Sequence, residues 1–270
     1  MKKNEQDFTL SIFAGDNIFS YLLISQVLDT FKIERIYISK HNKSIKNIGN
    51  IFKKTSLQYF MYRSFIQLLS MIFQSLSITK YAKKNNIEII YLENKNEFKK
   101  HSAIKTDLSI TANFDLIIPS DYIESLKHGI INTHASNLPK DRGISPVVWA
   151  YCRGDKEIYI SFYLMDGGID TGPLIEKEKI NISKSWSLFR TYCEVLLLSS
   201  FKLSKLIENK IFRRHHNQLN DEKSKGSYNS WPDKELNKKM RLNKRRYFRL
   251  SDIGFLNKIA KDYEKKSVDC

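Results

Sequence analysis

Cysteine is scarce in this sequence, and its scarcity excludes two kinds of scaffold. The 270 residues include only Cys152, Cys193 and Cys270. Three cysteines so widely scattered do not build a disulfide framework or a zinc site on paired cysteines. We therefore expect a reducing compartment, the cytoplasm, and no structural metal.

Three common sequence signals are also absent. The N-terminal segment MKKNEQDFTLSIFAG has no apolar stretch that leads to a small-residue cleavage site, so no signal peptide is expected. The most apolar window, residues 64–79, is shorter than the ~20 residues of a membrane span. We interpret it as a buried helix, with contact to a membrane surface or to a partner as the alternatives. Only Gly15 follows the first apolar run, which argues against a nicotinamide or flavin dinucleotide site.

Acidic residues are few relative to basic ones. There are 29 Asp and Glu against 45 Lys and Arg, which gives a net charge of +16. Such a surplus can mark a nucleic-acid surface or a phosphate-bearing substrate, but net charge bears on solubility and non-specific binding and does not set a fold. Much of the surplus is lysine dispersed among Ile and Asn, so we interpret it mainly as solvated surface. The 41% of hydrophobic residues excludes a disordered or fibrous chain.

Short apolar runs alternate with helical patterns over most of the chain. The run at 9–14 precedes a helical pattern from Ile18, for which Asp16 or Asn17 is the expected N-cap. Strand, helix and strand at this spacing predict a Rossmann-like, open, mostly parallel α/β sheet with helices on both faces. Further strands are predicted at 33–39, 87–92, 108–110, 114–118, 129–132, 157–165 and 174–180. A long helical region is predicted at about 56–86, and an amphipathic helix from Ser183 or Ser185 to about Glu208.

The composition changes after residue 210. Residues 211–270 are rich in charge and poor in aliphatic side chains until about Tyr247. We predict a main domain at 1–210 and a small basic C-terminal extension at 211–270. The cationic side chains of this extension are interpreted as a solvated face, with contact to a diphosphate or to a second subunit as the alternatives. They are Lys238, Lys239, Arg241, Lys244, Arg245, Arg246 and Arg249.

Side chains suited to acid–base chemistry occur between residues 129 and 175. Asn132 and His134 stand two positions apart where a predicted strand ends, so both point to the same side. Asp170 follows in a glycine-rich loop, whose backbone freedom lets a carboxylate fold back over a neighbouring strand end. Since ligands bind beyond the carboxyl ends of strands in open α/β sheets, the three side chains are expected to converge. Spacing alone makes this a weak hypothesis, because a lone His is more often structural and such an Asp more often forms a turn.

The whole string resembles the folate-dependent formyltransferase family. The family signature runs N-x-H-x-S-x-L-P, then R-G-x-x-P, then D-x-G-x-I. The separation between His134 and Asp170, 170 − 134 = 36 residues, also agrees with that family. The likeness covers about residues 8–210 in strand order and is strong from 129 to 175. The matching residues are Asn132, His134, Ser136, Leu138 and Pro139, then Arg142, Gly143 and Pro146, then Asp170, Gly172 and, one place late, Ile175.

The resemblance implies transfer of a formyl group from 10-formyltetrahydrofolate to an amine. His134 would accept a proton from the attacking amine, and Asn132 would donate a hydrogen bond to the oxyanion. Asp170 would orient His134 and stabilise its imidazolium form. No metal is needed for this scheme. The resemblance also implies folate contacts from Asp121, Tyr122, Gly168 and Asp170, and acceptor contacts from Ser136, Arg142, Pro146 and Trp149.

Several acceptors are known within the family. Trp149 and Ala150 after Pro146, and the segment 227–248, favour the nucleotide-sugar N-formyltransferases. We therefore expect a nucleotide-linked amino sugar used in cell-surface glycan synthesis, no nucleic acid, no membrane insertion and, by resemblance, a homodimer. Two departures from the family pattern are a short segment at 118–129 and Asp141, where many sugar enzymes carry an aromatic residue.

Three alternatives stay open. A methionyl-tRNA formyltransferase would carry a larger C-terminal β-barrel domain, for which 270 − 210 = 60 residues leave little room. A 10-formyltetrahydrofolate hydrolase would carry an extra N-terminal regulatory domain, yet the first predicted strand begins by residue 9. A non-catalytic, basic RNA-binding protein on the same scaffold is the alternative from another class, and the intact Asn132, His134 and Asp170 argue against it.

Overall fold

The computed structural model of the protein describes residues 8–40, 55–101, 106–210, 212 and 226–266. Its strands are β1 (Thr9–Ala14), β2 (Lys32–Ser39), β3 (Glu88–Leu92), β4 (Leu108–Ala112), β5 (Ile130–His134), β6 (Arg142–Gly143), β7 (Glu157–Leu164), β8 (Leu174–Asn181) and β9 (Tyr228–Asn229). Its α-helices are α1 (Ile18–Thr30), α2 (Leu57–Ile72), α3 (Ile78–Lys84), α4 (Ser120–Glu124), α5 (Pro146–Arg153), α6 (Leu188–Glu208), α7 (Lys234–Leu242) and α8 (Ser251–Lys266).

The main sheet has seven strands in the order β3-β2-β1-β4-β5-β7-β8. Strands β1 to β5 are mutually parallel, and β7 runs antiparallel to both of its neighbours. The predicted mostly parallel α/β sheet is therefore confirmed. The predicted strand at 114–118 is wrong. Asn113 adopts the left-handed backbone conformation, with φ of 50°, so the chain leaves the extended path as β4 ends.

The alternation of side chains along the central strands fills two cores, one on each face of the sheet. In β1, Leu10, Ile12 and Ala14 belong to one buried cluster, which includes the packed helices α1 and α6. Phe13 points to the opposite cluster and stacks on Tyr37 of β2, with ring centroids 4.5 Å apart. Both faces are therefore covered, as strands with apolar residues at successive positions require.

The range 56–86, predicted as a helical region, is helical and is divided between α2 and α3. The backbone of Phe73 leaves the helical conformation, with φ of −93° and ψ of 60°. Ser77 then caps α3 by accepting a hydrogen bond from the backbone N–H of Lys80. The interpretation of 64–79 as buried holds for one face of α2 only. Its opposite face exposes five large apolar side chains: Leu57, Met61, Leu68, Met71 and Ile72.

Two further details of the helices concern their ends and their length. Asn17 caps α1, as predicted, through a hydrogen bond from the backbone N–H of Ser20. Helix α6 is capped by Ser187, and the prediction of Ser183 or Ser185 is wrong. The Ser187 hydroxyl also donates to the buried carboxylate of Asp252, a long-range contact that the local sequence does not reveal. None of the helices in the described ranges is long and apolar enough to cross a membrane.

The described part of the C-terminal segment, residues 226–266, packs onto the main core. Leu236 and Met240 of α7 and Leu256 of α8 are buried in the same cluster as α1 and α6. Within the predicted basic cluster, Arg245 lies over the ring of Tyr151. The members of this cluster that lie in α7, Lys238, Lys239 and Arg241, are exposed to solvent. The division of the chain at residue 210 stays a prediction.

Candidate active site

Strand β5 carries two of the predicted site residues at its carboxyl end. The antiparallel register with β7 pairs Asn132 with Tyr163 and His134 with Ser161. Since alternate residues of a strand share a face, Asn132 and His134 project to the same side. His134 is buried and Asn132 is half-buried.

The Asp170 carboxylate reaches this strand end from the loop between β7 and β8. Asp170 adopts a left-handed backbone, with φ of 52°, which Asp tolerates better than most residues. Its Oδ1 lies 3.6 Å from Nδ1 of His134. Its Oδ2 accepts a 2.7 Å hydrogen bond from the backbone N–H of Gly143. The structure therefore brings His134 and Asp170 together, at a separation typical of catalytic contacts before a ligand tightens them.

The second ring nitrogen of His134 faces a backbone carbonyl. Nε2 lies 2.9 Å from the carbonyl oxygen of Asp141. A carbonyl only accepts hydrogen bonds, so Nε2 is the donor and carries the proton of the neutral ring. Nδ1, which faces Asp170, is then the nitrogen that can take up a second proton. The arrangement thus provides an oxygen acceptor for each N–H of an imidazolium.

Asp141 is held by helix α5 and by the C-terminal segment. Its carboxylate accepts hydrogen bonds of 2.8 and 2.7 Å from Arg153 and one of 2.7 Å from Asn229. Its backbone N–H donates to the Ser227 hydroxyl at 2.8 Å. Burial acts to raise the pKa of Asp141, but the hydrogen bonds from Arg153 and Asn229 outweigh it and hold the pKa below its ordinary value. The aspartate at this position therefore fixes the carbonyl that orients His134.

Tyr163 joins the cluster, and sequence reasoning missed it. Its hydroxyl accepts a 2.5 Å hydrogen bond from Asn132 Nδ2 and donates a 2.8 Å hydrogen bond to Asp170 Oδ1. Asn132 is therefore linked to Asp170 through Tyr163. In the sequence, Tyr163 is one more member of the apolar run EIYISFYLM, and only the register of β7 on β5 reveals its position. The hydroxyl of Thr111 in β4 donates to Asn132 Oδ1 at 2.5 Å. Sequence reasoning missed this contact too, because it depends on the pairing of β4 with β5.

The side chains proposed for acceptor contacts lie in the loop and helix that follow β5. The Ser136 hydroxyl donates to the carbonyl of Lys140 and is buried, so it stabilises the loop itself. Pro146 occupies the first turn of α5, and the Trp149 indole N–H donates to the carbonyl of Ser230. Arg142 is half-buried in β6, and its Nε has no hydrogen-bond partner among the described residues.

The residues proposed for folate contacts are not all brought to this cluster. Tyr122 is buried in the second core, and its hydroxyl bonds to that of Tyr37. Asp121 is exposed at the start of α4. Gly168 lies in the Asp170 loop, where its N–H donates to Asp166. In the described ranges, no three His, Cys, Asp or Glu side chains are grouped so that they could hold a metal ion.

Comparison with known proteins identifies the domain that carries this cluster. Residues 74–195 match the formyl transferase family model, and the match includes Asn132, His134 and Asp170. The chain contains a formyl transferase domain. Methionyl-tRNA formyltransferase from Thermodesulfovibrio yellowstonii is 36% identical to it over 92 residues, 34% of this chain and 30% of that protein. The chain spans between 30% and 52% of the length of the first curated relatives that it matches.

Solved structures share the fold of this formyl transferase domain at low sequence identity. One is an N-formyltransferase from Helicobacter canadensis in complex with folinic acid and dTDP-3-aminofucose. It is 20% identical, has a TM-score of 0.53, and matches over 85% of this chain and 72% of that chain. Another is glycinamide ribonucleotide transformylase 1 from Symbiobacterium toebii, 12% identical, with a TM-score of 0.54 over 78% of this chain and 91% of that chain.

Proposed function

We propose that this protein is an enzyme that transfers a formyl group from 10-formyltetrahydrofolate to the amine of a nucleotide-linked amino sugar. The observation that carries the proposal is the contact between His134 and Asp170 at the carboxyl end of β5, with Asn132 beside it. This edge of an open α/β sheet is the usual place for a ligand. The match to the formyl transferase family model over the same residues supports the choice of reaction.

The proposed chemistry uses each member of the cluster for a different task. Nδ1 of His134 accepts the proton that the amine releases as it attacks the formyl carbon. The negative charge of Asp170 stabilises the resulting imidazolium, whose Nε2–H keeps donating its hydrogen bond to the Asp141 carbonyl. His134 then returns the proton on Nδ1 to the folate nitrogen as the bond between that nitrogen and the formyl carbon breaks and tetrahydrofolate leaves. Asn132 keeps one side-chain N–H for the oxygen of the formyl group, on which negative charge develops. Such a donor contributes about 3 kcal/mol in comparable acyl transfers.

The surroundings of the cluster fit a folate that would supply the formyl group when bound. The loop after β4 and the Asp170 loop meet, since a Cβ on Gly167 would lie 2.5 Å from the hydroxyl oxygen of Ser120. Each loop exposes a large apolar side chain, Ile117 at 69% and Ile169 at 54%. Exposed isoleucines beside a polar cluster are suited to cover a flat heterocycle, because apolar walls with a few fixed polar groups are typical of cofactor sites.

Two observations favour an acceptor that carries phosphate and a sugar. The buried Nε of Arg142 lacks a partner among the described residues, and an unpaired guanidinium nitrogen near a site is suited to an anionic oxygen. The structural likeness to the Helicobacter canadensis N-formyltransferase, whose complex contains dTDP-3-aminofucose, extends over 85% of this chain. We include a homodimer and a cytoplasmic location in the proposal, the latter because the free thiols Cys152 and Cys193 suit a reducing compartment.

The test is incubation with 10-formyltetrahydrofolate and a panel of acceptors, followed by mass spectrometry. The panel contains nucleotide-linked amino sugars, glycinamide ribonucleotide and methionine-charged initiator tRNA, and His134→Ala serves as the inactive control. We expect one formyl group on an amino sugar and none in the control. Release of formate without any formylated acceptor would instead indicate a hydrolase.

Transfer to initiator tRNA is the second candidate, because the curated relatives are methionyl-tRNA formyltransferases. The cationic C-terminal segment would then contact phosphates, and the affinity for tRNA would fall steeply with salt. Formylation of the charged tRNA with no sugar modified would replace the proposed acceptor. Salt-sensitive RNA binding without any transfer would indicate a non-catalytic RNA-binding protein.

A further inference from the structure

The hydroxyl of Tyr163, in β7, contacts both Asn132 and Asp170. Tyr163 is the direct cross-strand partner of Asn132, and its side chain is only 2% exposed. The 2.5 Å bond from Asn132 Nδ2 and the 2.8 Å bond to Asp170 Oδ1 use the hydroxyl as acceptor and as donor. The donor and acceptor roles of the hydroxyl are therefore fixed: it accepts from the Asn132 amide and donates to the Asp170 carboxylate.

The hydrogen bonds of Asn132 determine which of its groups is left for a ligand. Its Oδ1 accepts from the Thr111 hydroxyl at 2.5 Å and from the backbone N–H of Thr133 at 2.9 Å. These two bonds use the lone pairs of the amide oxygen. The amide nitrogen has two hydrogens, and Tyr163 accepts one of them. In the described part of the chain, one N–H of Asn132 is then left to donate to a reacting oxygen.

The phenol must keep its proton for this link to exist. Burial raises the pKa of Tyr163 well above its ordinary value, and the negative charge of Asp170 raises it further, while the hydrogen bond from Asn132 acts in the opposite direction. Tyr163 thus donates to Asp170 throughout the pH range in which an enzyme of this kind is assayed. Removal of the hydroxyl would take one hydrogen-bond partner from the half-buried Asn132 amide and one from the buried Asp170 carboxylate, which is costly where water does not replace them.

We propose that Tyr163 is a positioning residue for the reaction, one that couples the Asn132 amide to the Asp170 carboxylate. The inference rests on the proposed formyl transfer. In this role Tyr163 acts through Asn132 and Asp170 and not on the reacting atoms. It keeps the amide of Asn132 from rotating by half a turn, which would present an oxygen where a donor is needed. It also fixes Asp170 against His134, so that one hydroxyl sets the geometry of both halves of the site.

The test compares Tyr163→Phe with a matched control, Tyr62→Phe. Tyr62 is also buried, but its hydroxyl has no hydrogen-bond partner among the described residues. We expect Tyr163→Phe to lower kcat about 10- to 100-fold, with the KM of either substrate changed less than about 2-fold, because misplacement of a catalytic group acts on the transition state. We expect Tyr62→Phe to retain both constants. Wild-type kcat in folded Tyr163→Phe overturns the proposal.

A double-mutant cycle separates positioning from a general structural effect. If Tyr163 acts through Asn132, the losses of Tyr163→Phe and Asn132→Ala combine to less than their product. If the two losses in kcat multiply without any coupling, the proposal is overturned. Should Tyr163→Phe fail to fold, Thr111→Val is used in its place. It removes the hydrogen bond to the oxygen of the Asn132 amide, and it must also lower kcat with KM retained. An unchanged kcat in folded Thr111→Val overturns the proposal as well.

A spectroscopic measurement distinguishes failure of this inference from failure of the proposed function. The side-chain amide signals of Asn132 in a ¹⁵N-labelled sample are assigned by their loss in Asn132→Ala. They should shift in Tyr163→Phe and stay in place in Tyr62→Phe. If no acceptor is formylated by the wild-type protein, the proposed function fails, whereas unmoved amide signals in Tyr163→Phe overturn the link itself.

Discussion

The backbone N–H of Gly143 donates a 2.7 Å hydrogen bond to Oδ2 of Asp170, 27 residues further along the chain. Gly143 has φ of 96°, a conformation that L side chains rarely adopt. A Cβ at this position would lie 2.5 Å from the Asn229 carbonyl oxygen and 2.7 Å from the Tyr228 ring. The donor to Asp170 and the pairing of β6 with β9 therefore both depend on a glycine.

Gly143→Ala is expected to destabilise the protein and to lower its activity. The strained backbone costs about 1 to 3 kcal/mol, and the displaced N–H leaves one oxygen of Asp170 without its donor. Chemical denaturation and initial rates of formyl transfer measure the two effects. Gly254→Ala is the control, since Gly254 lies in α8 with nothing within 4 Å of an added Cβ, and it should stabilise the helix by about 0.5 to 1 kcal/mol. Equal stabilities for the two variants would contradict this account of Gly143.

His134→Ala and Asp170→Asn are expected to lose formyl transfer while the fold is retained. A general base contributes about 100- to 10,000-fold to rate, and Asp170→Asn removes the charge that stabilises the imidazolium without changing the shape of the side chain. Steady-state kinetics with the acceptor found in the panel give the loss, and thermal unfolding monitors the fold. Turnover close to that of the wild type in either variant would exclude the assigned roles.

Asp141 and Arg153, which lie next to His134, should contribute jointly to the free energy of unfolding. In a double-mutant cycle with Asp141→Ala and Arg153→Ala, we expect a coupling energy of about 1 kcal/mol near neutral pH, because both side chains are largely shielded and two hydrogen bonds join them. Denaturant unfolding of the four proteins measures it. The exposed pair Lys32 and Glu34 serves as a control with coupling near zero.

This coupling should also depend on pH in a defined direction. The folded pKa of Asp141 is lowered, for although burial raises it, the hydrogen bonds from Arg153 and Asn229 dominate. Its contribution to stability is therefore present above the pKa of about 3.9 that an unfolded Asp has, and it is lost as the pH falls through the lower folded value. A coupling energy that stays constant into strongly acidic solution would be inconsistent with an ionised Asp141.

Alkaline solution should destabilise the fold through buried tyrosines. Burial raises the pKa of Tyr62 well above its ordinary value. Above pH ~10 the unfolded chain loses phenol protons that the folded chain retains, so the free energy of unfolding falls by up to ~1.4 kcal/mol per pH unit for each such group. Tyr62→Phe should flatten this decline between pH 10 and 11, as followed by denaturant titration. Tyr91→Phe, at an exposed position, should leave the slope unchanged.

The sequence predicts those parts of the molecule that depend on local pattern. The apolar run Thr9–Ala14 is a strand with the bounds predicted for it, and Asn17 caps the next helix because its side chain reaches an N–H three residues ahead. The predicted strand at 114–118 fails, and the predicted helical region at 56–86 is divided in two, because in each case one residue changes the backbone. Asn113 ends β4 in a left-handed conformation, and Phe73 interrupts the helical path before Ser77 starts a new helix.

The parts of the site that sequence reasoning missed depend on contacts between distant segments. The positions of Asn132 and His134 follow from a period of two along one strand. By contrast, the hydroxyl of Tyr163 reaches Asn132 only through the register of β7 on β5. Asp141 acquires its partners from Ser227 and Asn229 in the C-terminal segment. A local sequence pattern predicts neither the register of two strands nor a contact between residues 86 positions apart.

The pairing of β6 with β9 also sets the order in which the site can be completed during protein synthesis. A chain leaving the ribosome N-terminus first exposes Asn132, His134 and Asp170 before Ser227 and Asn229 have been made. Until those two residues emerge, Asp141 lacks two of its hydrogen-bond partners and Gly143 lacks its partner strand. Nascent chains therefore carry Asn132, His134 and Asp170 without these contacts, and the cluster is completed only after residues 227–229 have been made and have paired with β6.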